Sequence, residues 1–188
     1  MATTNASLVR QRQEPLRNRY RKEPAAAWIQ DGAKTIDACS SDAFHGAVLP
    51  ANSVDAPLRF GIHRAVGGNH DYPNPGDLLS AALAACLDST VRMIADHLDI
   101  RLTSLDVAVE ADCDVRGCLL VDPSVPVGFQ SMRCRVRMQP EGMVEPQRLQ
   151  MLIAAAERSC VVLQTLRNGV SVQTHVDAND RATVATAH

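Results

Sequence analysis

The 188-residue sequence predicts an α+β fold, with mainly antiparallel sheets around one long buried helix. The order of elements is the first reason: strands, a long helix, strands, a pair of helices and a last strand, without the strict strand–helix alternation of a parallel sheet. The second is residues 75–98, which are apolar on nearly every side until Asp88, as in a helix covered all round. The third is the period-two alternation of the segments on either side of it.

Residues 1–24 form an Arg-rich arm, with Arg10, Arg12, Arg17, Arg19, Arg21 and Lys22 against Glu14 and Glu23. Such an arm can bind nucleic acid or serve as a transit peptide; a solvated arm or a short helix packed on a partner subunit is the preferred reading. Residues 25–176 read as a single domain, and residues 177–188 as a weakly ordered tail. Ala27–Ile29 and Lys34–Cys39 flank Asp31-Gly32, a two-residue hairpin signal. His45 to Leu49 is a further short strand. Pro57 to Val66 is another, with Leu58, Phe60, Ile62 and Arg64 alternating against Arg59, Gly61 and His63. Gly67 to Pro73 is a loop.

The central helix starts cleanly. Asn74 suits the N-cap, Pro75 the first helical position, and Asp77 the N3 place of a capping box. Leu102 to Asp114 alternates as a strand, Gly117–Val121 is a short ambiguous segment, and Phe129 to Met138 alternates again with Arg133, Arg135 and Arg137 on one face. Glu145-Pro146 opens a second helix to about Arg158. Ser159 can cap a third, which Asn168-Gly169 ends, and Val170 to Val176 closes the domain as a strand.

Composition excludes several functions. Apolar residues make up 46% and charged residues 21%, and the net charge of -2 gives no global drive toward nucleic acid. Aromatics at 3% leave little for a base-stacking surface, so nucleic acid is not expected as a partner. No apolar run of the ~20 residues needed for a membrane span is evident, and no secretory signal opens the chain, which makes the cytoplasm the expected compartment. No Cys-x2-Cys pair or other metal-ligand spacing occurs, and no nucleotide-binding glycine motif; no metal and no cofactor are expected.

Any chemistry should therefore centre on two of the six cysteines, Cys86 and Cys160. Cys39, Cys113, Cys118 and Cys134 read as buried or incidental thiols. Cys86 shares a helix stripe with Leu79, Ala82 and Met93, where a small core residue is the plain alternative. Around it Ala81, Ala82, Ala84 and Ala85 leave room for close approach by a backbone or ligand. Cys160 follows the Ser159 cap, as the first residue of a helix whose free N–H groups favour a thiolate; an inert thiol at a helix corner is the alternative. Two such thiols suit peroxide reduction, in which one becomes a sulfenic acid and the other condenses with it. The attacking thiolate needs a nearby cation: Arg64 is the first candidate and Arg59 the second, each otherwise a solvated strand residue.

The run Pro73-Asn74-Pro75-Gly76-Asp77-Leu78-Leu79-Ser80-Ala81-Ala82-Leu83-Ala84-Ala85-Cys86 resembles the signature of the OsmC/Ohr family. Ala155-Ala156-Glu157 followed by Cys160, and Gly169-Val170, extend the resemblance over roughly residues 57–176. It implies an OsmC-like fold in an intertwined homodimer with two sites at the interface. It further implies an oxidoreductase of oxidative stress defence, in which Cys86 attacks an organic hydroperoxide, Cys160 resolves it and a dithiol reductant restores the pair. Arg64 falls close to the thiolate-stabilising arginine of one branch. The sequence departs from the better-known members at Gly76, where they carry glutamate, and at Val161, where many carry proline. Asp77 lies nine residues before Cys86, about 13 Å along a helix and on the opposite face, so its role is the cap. The competing expectation is a non-peroxidase relative that binds a small apolar ligand or partner at the dimer interface.

Overall fold

The computed structural model describes residues 7–36, 41–51, 56–178 and 182–186. It has the expected α+β architecture, with antiparallel sheets and one long helix. The chain opens with α1 (Leu8–Lys22) and a 3-10 turn (Pro24–Ala27). Strands β1 (Ala33–Ile36), β2 (His45–Pro50) and β3 (Leu58–Gly61) form an antiparallel sheet in that order. A second 3-10 turn (Arg64–Val66) leads to the central helix, α2 (Pro75–His97). Next come β4 (Leu102–Cys113), the single turn α3 (Val115–Cys118) and β5 (Phe129–Pro140), then α4 (Pro146–Ser159) and α5 (Val161–Asn168). The hairpin β6 (Thr174–Ala178) and β7 (Ala182–Thr186) ends the described chain.

Helix α2 begins as its sequence requires. Asn74 Oδ1 accepts from the Gly76 and Asp77 amides, and Asp77 Oδ2 accepts from Asn74 N at 2.9 Å. Its buried stripe is Leu83, Leu87, Val91 and Ala95, four residues apart throughout. That stripe meets Leu105, Val107 and Val109 of β4, Met132 and Val136 of β5, and Ala156, Cys160 and Leu163 of the helix pair. A second cluster, Ala95, Ile100 and Leu152, closes the far end. The arginine face of β5 is paired across the ladder: Arg133 with Glu110 and Asp112, and Arg137 with Asp106. Arg133 beside Asp112 lowers that carboxyl to about 2.

Among the described residues, α2 is the one helix long and apolar enough to cross a membrane by length and composition, which corrects the reading that no such run exists. Its buried stripe lies in the protein core, and Asp77, Asp88, Arg92 and Asp96 punctuate it, as befits a core helix. The arm is helical and docks on this chain's own α2. Ser7 donates to Asp96 Oδ2 at 2.5 Å, Val9 N donates to the same oxygen, and Arg10 reaches both His97 O and Asp99.

Several boundaries differ from expectation. Ala27–Ile29 is no strand: Pro24 opens a 3-10 turn there, and Trp28 and Ile29 stand exposed. Asp31-Gly32 is no hairpin turn, because β1 pairs with the later β2, from Ala33 with Pro50 to Ile36 with Ala47. The expected strand reached Cys39, and residues 37–40 lie outside the described residues. Strand β3 stops at Gly61, whose amide is taken by Pro73 O. Residues 115–118 make a helical turn capped by Asp114. The last strand of the domain starts at Thr174 rather than Val170, and a further strand, β7, follows it.

Among the described residues, neither core cluster includes a side chain from β1, β2 or β3. All six residues of β2 are only half-buried. Among the described residues this sheet has no buried cluster of its own chain beneath it.

Candidate thiol site

The two cysteines come together. Cys86 projects from the middle of α2 and packs, half-buried, against the cluster that contains the fully buried Cys160. The two thiols are close enough for Cys86 to act on Cys160 both by hydrogen bonding and by charge. The backbone around Cys86 is firmly held, since its carbonyl accepts from Thr90 Oγ1 at 2.7 Å and Ser89 Oγ at 3.0 Å.

Cys160 sits one position away from the expected place. Ser159 is the last residue of α4 rather than a cap, because the α4 ladder runs on to the bond from Cys160 N to Ala156 O at 2.9 Å. Cys160 then turns extended, with φ -74° and ψ 107°, and its own carbonyl receives Gln164 N as the first bond of α5. The thiol therefore stands at the N-cap itself. The Val162 and Leu163 amides do favour its thiolate, but burial outweighs them and Cys86 adds to the effect, so its pKa is raised. The sequence reading, a helix start that yields a thiolate, named a real contribution and missed the larger opposing one. Cys160 is held as a neutral thiol.

Arg64 lies in the 3-10 turn after β3, exposed. Among the described residues its side chain has no ion pair or hydrogen bond. Arg59 is engaged elsewhere: its Nη1 donates to Tyr72 Oη at 3.1 Å, with the guanidinium beside the Tyr72 ring. Of the other cysteines, Cys113, Cys118 and Cys134 are exposed, which leaves the incidental alternative rather than the buried one, and Cys39 lies outside the described residues. Among the described residues no group of three or more His, Cys, Asp or Glu side chains is placed to hold a metal ion.

Gly76 has a physical explanation. A Cβ added there would lie 2.9 Å from the Phe129 ring and 2.9 Å from Asn74 Oδ1. The first residue of β5 thus covers the first turn of α2 and fills the space where a longer side chain would go. Phe129 also lines a cavity of about 530 Å³ between α2, β5, α4 and α5, with Leu83, Met132, Ile153 and Leu166. Sequence reasoning missed Phe129, because nothing local links residues 76 and 129. It also missed the contacts of His45 and Asp71, of which only the Asp42-x-x-His45 spacing is local.

The sequence model of the family described as OsmC-like protein matches residues 68–175. Among solved structures, the chain is similar to the organic hydroperoxide resistance protein OsmC of Legionella pneumophila, at 21% identity and a TM-score of 0.54, over 76% of this chain and 92% of that one. An organic hydroperoxide resistance protein from Elizabethkingia anophelis gives 22% and 0.55, over 76% and 91%. An OsmC-like protein of unknown function from Vibrio cholerae gives 12% and 0.60, over 73% and 94%. No curated protein matches the sequence. At these identities the structural likeness establishes the fold.

Two outcomes are expected from this geometry. In a Cys86→Ser variant, Cys160 alkylates more slowly at neutral pH than the exposed Cys113 and Cys118, and its rate rises to half-maximum only above the ordinary thiol pKa of 9.0. Gly76→Glu lowers stability by about 1–3 kcal/mol through overpacking against Phe129, and adding Phe129→Ala recovers part of the loss, as read from urea midpoints.

Proposed function

We propose that this chain, which belongs to the OsmC-like protein family, is a thiol-dependent reductase of organic hydroperoxides. The observation that carries the reading is the juxtaposition of Cys86 and Cys160, one half-open and the other fully buried with its proton held. Two of the structurally similar proteins are named for organic hydroperoxide resistance, which agrees with it.

In this reading the Cys86 thiolate attacks the terminal oxygen of R–O–O–H and the O–O bond breaks. The alkoxide takes a proton and leaves as ROH, and Cys86 becomes a sulfenic acid. Cys160 loses its proton and attacks the Cys86 sulfur; hydroxide leaves, is protonated to water, and a disulfide remains. A dithiol reductant returns both thiols and is itself oxidised. Such a cycle suits a reducing compartment, the cytoplasm. The high pKa of Cys160 fits the resolving role, because its neutral thiol does not compete for peroxide while Cys86 is reduced. Arg64, unpaired among the described residues, would supply the positive charge beside a Cys86 thiolate.

The site is completed by a second copy. The α2 face that carries Cys86 leaves Leu79 and Met93 open, and Met151 of α4 is open beside it. The β1–β3 sheet lacks a core of its own. One homodimer would cover all three. A second reading, binding of a small apolar ligand without peroxide chemistry, draws on the cavity of about 530 Å³ and on the aromatic cover at Gly76.

Cumene hydroperoxide should remove two titratable thiols per chain, and Cys86→Ser should prevent the loss. If excess peroxide leaves all six thiols titratable, the peroxidase reading fails and apolar ligand binding takes its place. Light scattering should give about twice the 20.3 kDa chain mass; a monomer at micromolar concentration would refute the shared site.

A further inference from the structure

The loop that carries Arg64 is cinched at its base. Gly61 N bonds Pro73 O at 3.0 Å, His70 N bonds Ile62 O at 3.1 Å, and Gly68 N bonds His63 O at 3.1 Å. Gly68 passes so close to Ile62 that a Cβ there would lie 2.2 Å from its carbonyl oxygen. Arg64 thus sits on a small closed unit, residues 61–73, whose closure is held by these backbone bonds.

Side chains outside the unit hold it at one end. His45, the first residue of β2, lies opposite Gly61 in the sheet register. Its Nε2 is 3.1 and 3.2 Å from the two Asp71 oxygens, while its Nδ1 is 2.9 Å from Asp42 Oδ2. Tyr72 stands edge-on to the imidazole at 5.9 Å, and Arg59 of β3 donates to the Tyr72 hydroxyl. Among the described residues these are the charged and titratable groups that face His45: two carboxylates on its ring nitrogens, with the phenol and the guanidinium beyond.

Ionised carboxylates only accept hydrogen bonds. A neutral imidazole has one N–H and can satisfy one of them; an imidazolium has two and satisfies both. We propose that His45 is a positioning residue for Arg64: as an imidazolium bridging Asp42 and Asp71 it latches the Arg64 loop to β2, and on losing its proton it releases one side and frees the loop. The inference rests on the peroxidase reading only for what Arg64 does, and not for the latch itself.

The direction of titration agrees. The hydrogen bonds that His45 makes to Asp42 and Asp71, and then the charges of those carboxylates, raise the pKa of His45 from 6.5. The protonated form is therefore favoured in the folded protein. The order that the latch gives the loop is fully present below 6.5 and is lost as pH rises through the higher folded value. The latch works in the range where histidine changes charge in cells.

The test is amide hydrogen exchange at Gly68 and His70 as a function of pH, in the full-length protein, beside His45→Gln and Asp71→Asn. In the wild type, exchange corrected for its intrinsic pH dependence should be slow below the His45 midpoint and several-fold faster above it. In both variants it should be fast and free of that step, while amides of β4 and β5 stay unchanged. If the wild type shows no step, or if His45→Gln keeps it, the latch is refuted. A second readout is the rate of cumene hydroperoxide-driven thiol loss: the advantage of wild type over His45→Gln should be largest below the midpoint and vanish above it. A ratio that ignores pH overturns the positioning role. If the exchange step is present and peroxide removes no thiol, the latch stands and the peroxidase reading falls; if peroxide removes two thiols and exchange ignores His45, the reverse holds.

Discussion

A helix of 23 residues with apolar side chains on nearly every side needs cover on every side, and one small chain supplies only part of it. Here β4, β5, α4 and α5 cover the Leu83–Leu87–Val91 stripe, and α1 is tied to the C-terminal turns. The rest of the surface remains open along Leu79 and Met93. The hydrophobic effect scales with apolar area, so this is the face that the proposed homodimer would cover. The thiol site lies at the border of the covered and open faces. Cys160 is fully enclosed by the covered side, while Cys86 reaches toward the other.

The same border accounts for the unequal chemistry of the two cysteines. A thiol at a helix N-cap and a thiol in a dry core have opposite tendencies, and Cys160 is both. Short-range amide dipoles at Val162 and Leu163 act against the loss of hydration around the whole sulfur, and the loss of hydration wins. In the proposed cycle, a partner that must wait for a sulfenic acid before it reacts is well served by that balance. Cys86, by contrast, is only half-buried.

Legibility in the sequence followed the range of the interaction. Helix α2, its cap and strands β4 and β5 were readable because capping and alternation are local: Asn74 and Asp77 are three residues apart, and Leu105, Val107 and Val109 alternate. The Cys86/Cys160 pair was readable from its motif. The hairpin at Asp31-Gly32 misled because turn propensity is weak against the choice of partner strand, and β1 found β2 instead. Phe129 over Gly76, and Asp71 against His45, join residues 53 and 26 apart, and no pattern along the chain marks them. The place of Cys160 was missed by one residue, since the α4 ladder extends one bond further than the Ser159 signal suggests.

The capping box at Asn74 fixes more than the start of a helix. With the first turn pinned by Asn74 and Asp77 and covered by Phe129, the helix has no freedom to slide along or turn about its axis. Cys86 is therefore addressed by counting from Pro75. Loss or gain of one residue between them would swing the thiol by about 100° and shift it about 1.5 Å, away from Cys160. The loops of this protein can change length at little cost to the thiol pair, whereas the eleven steps from Pro75 to Cys86 behave as a ruler whose length cannot drift.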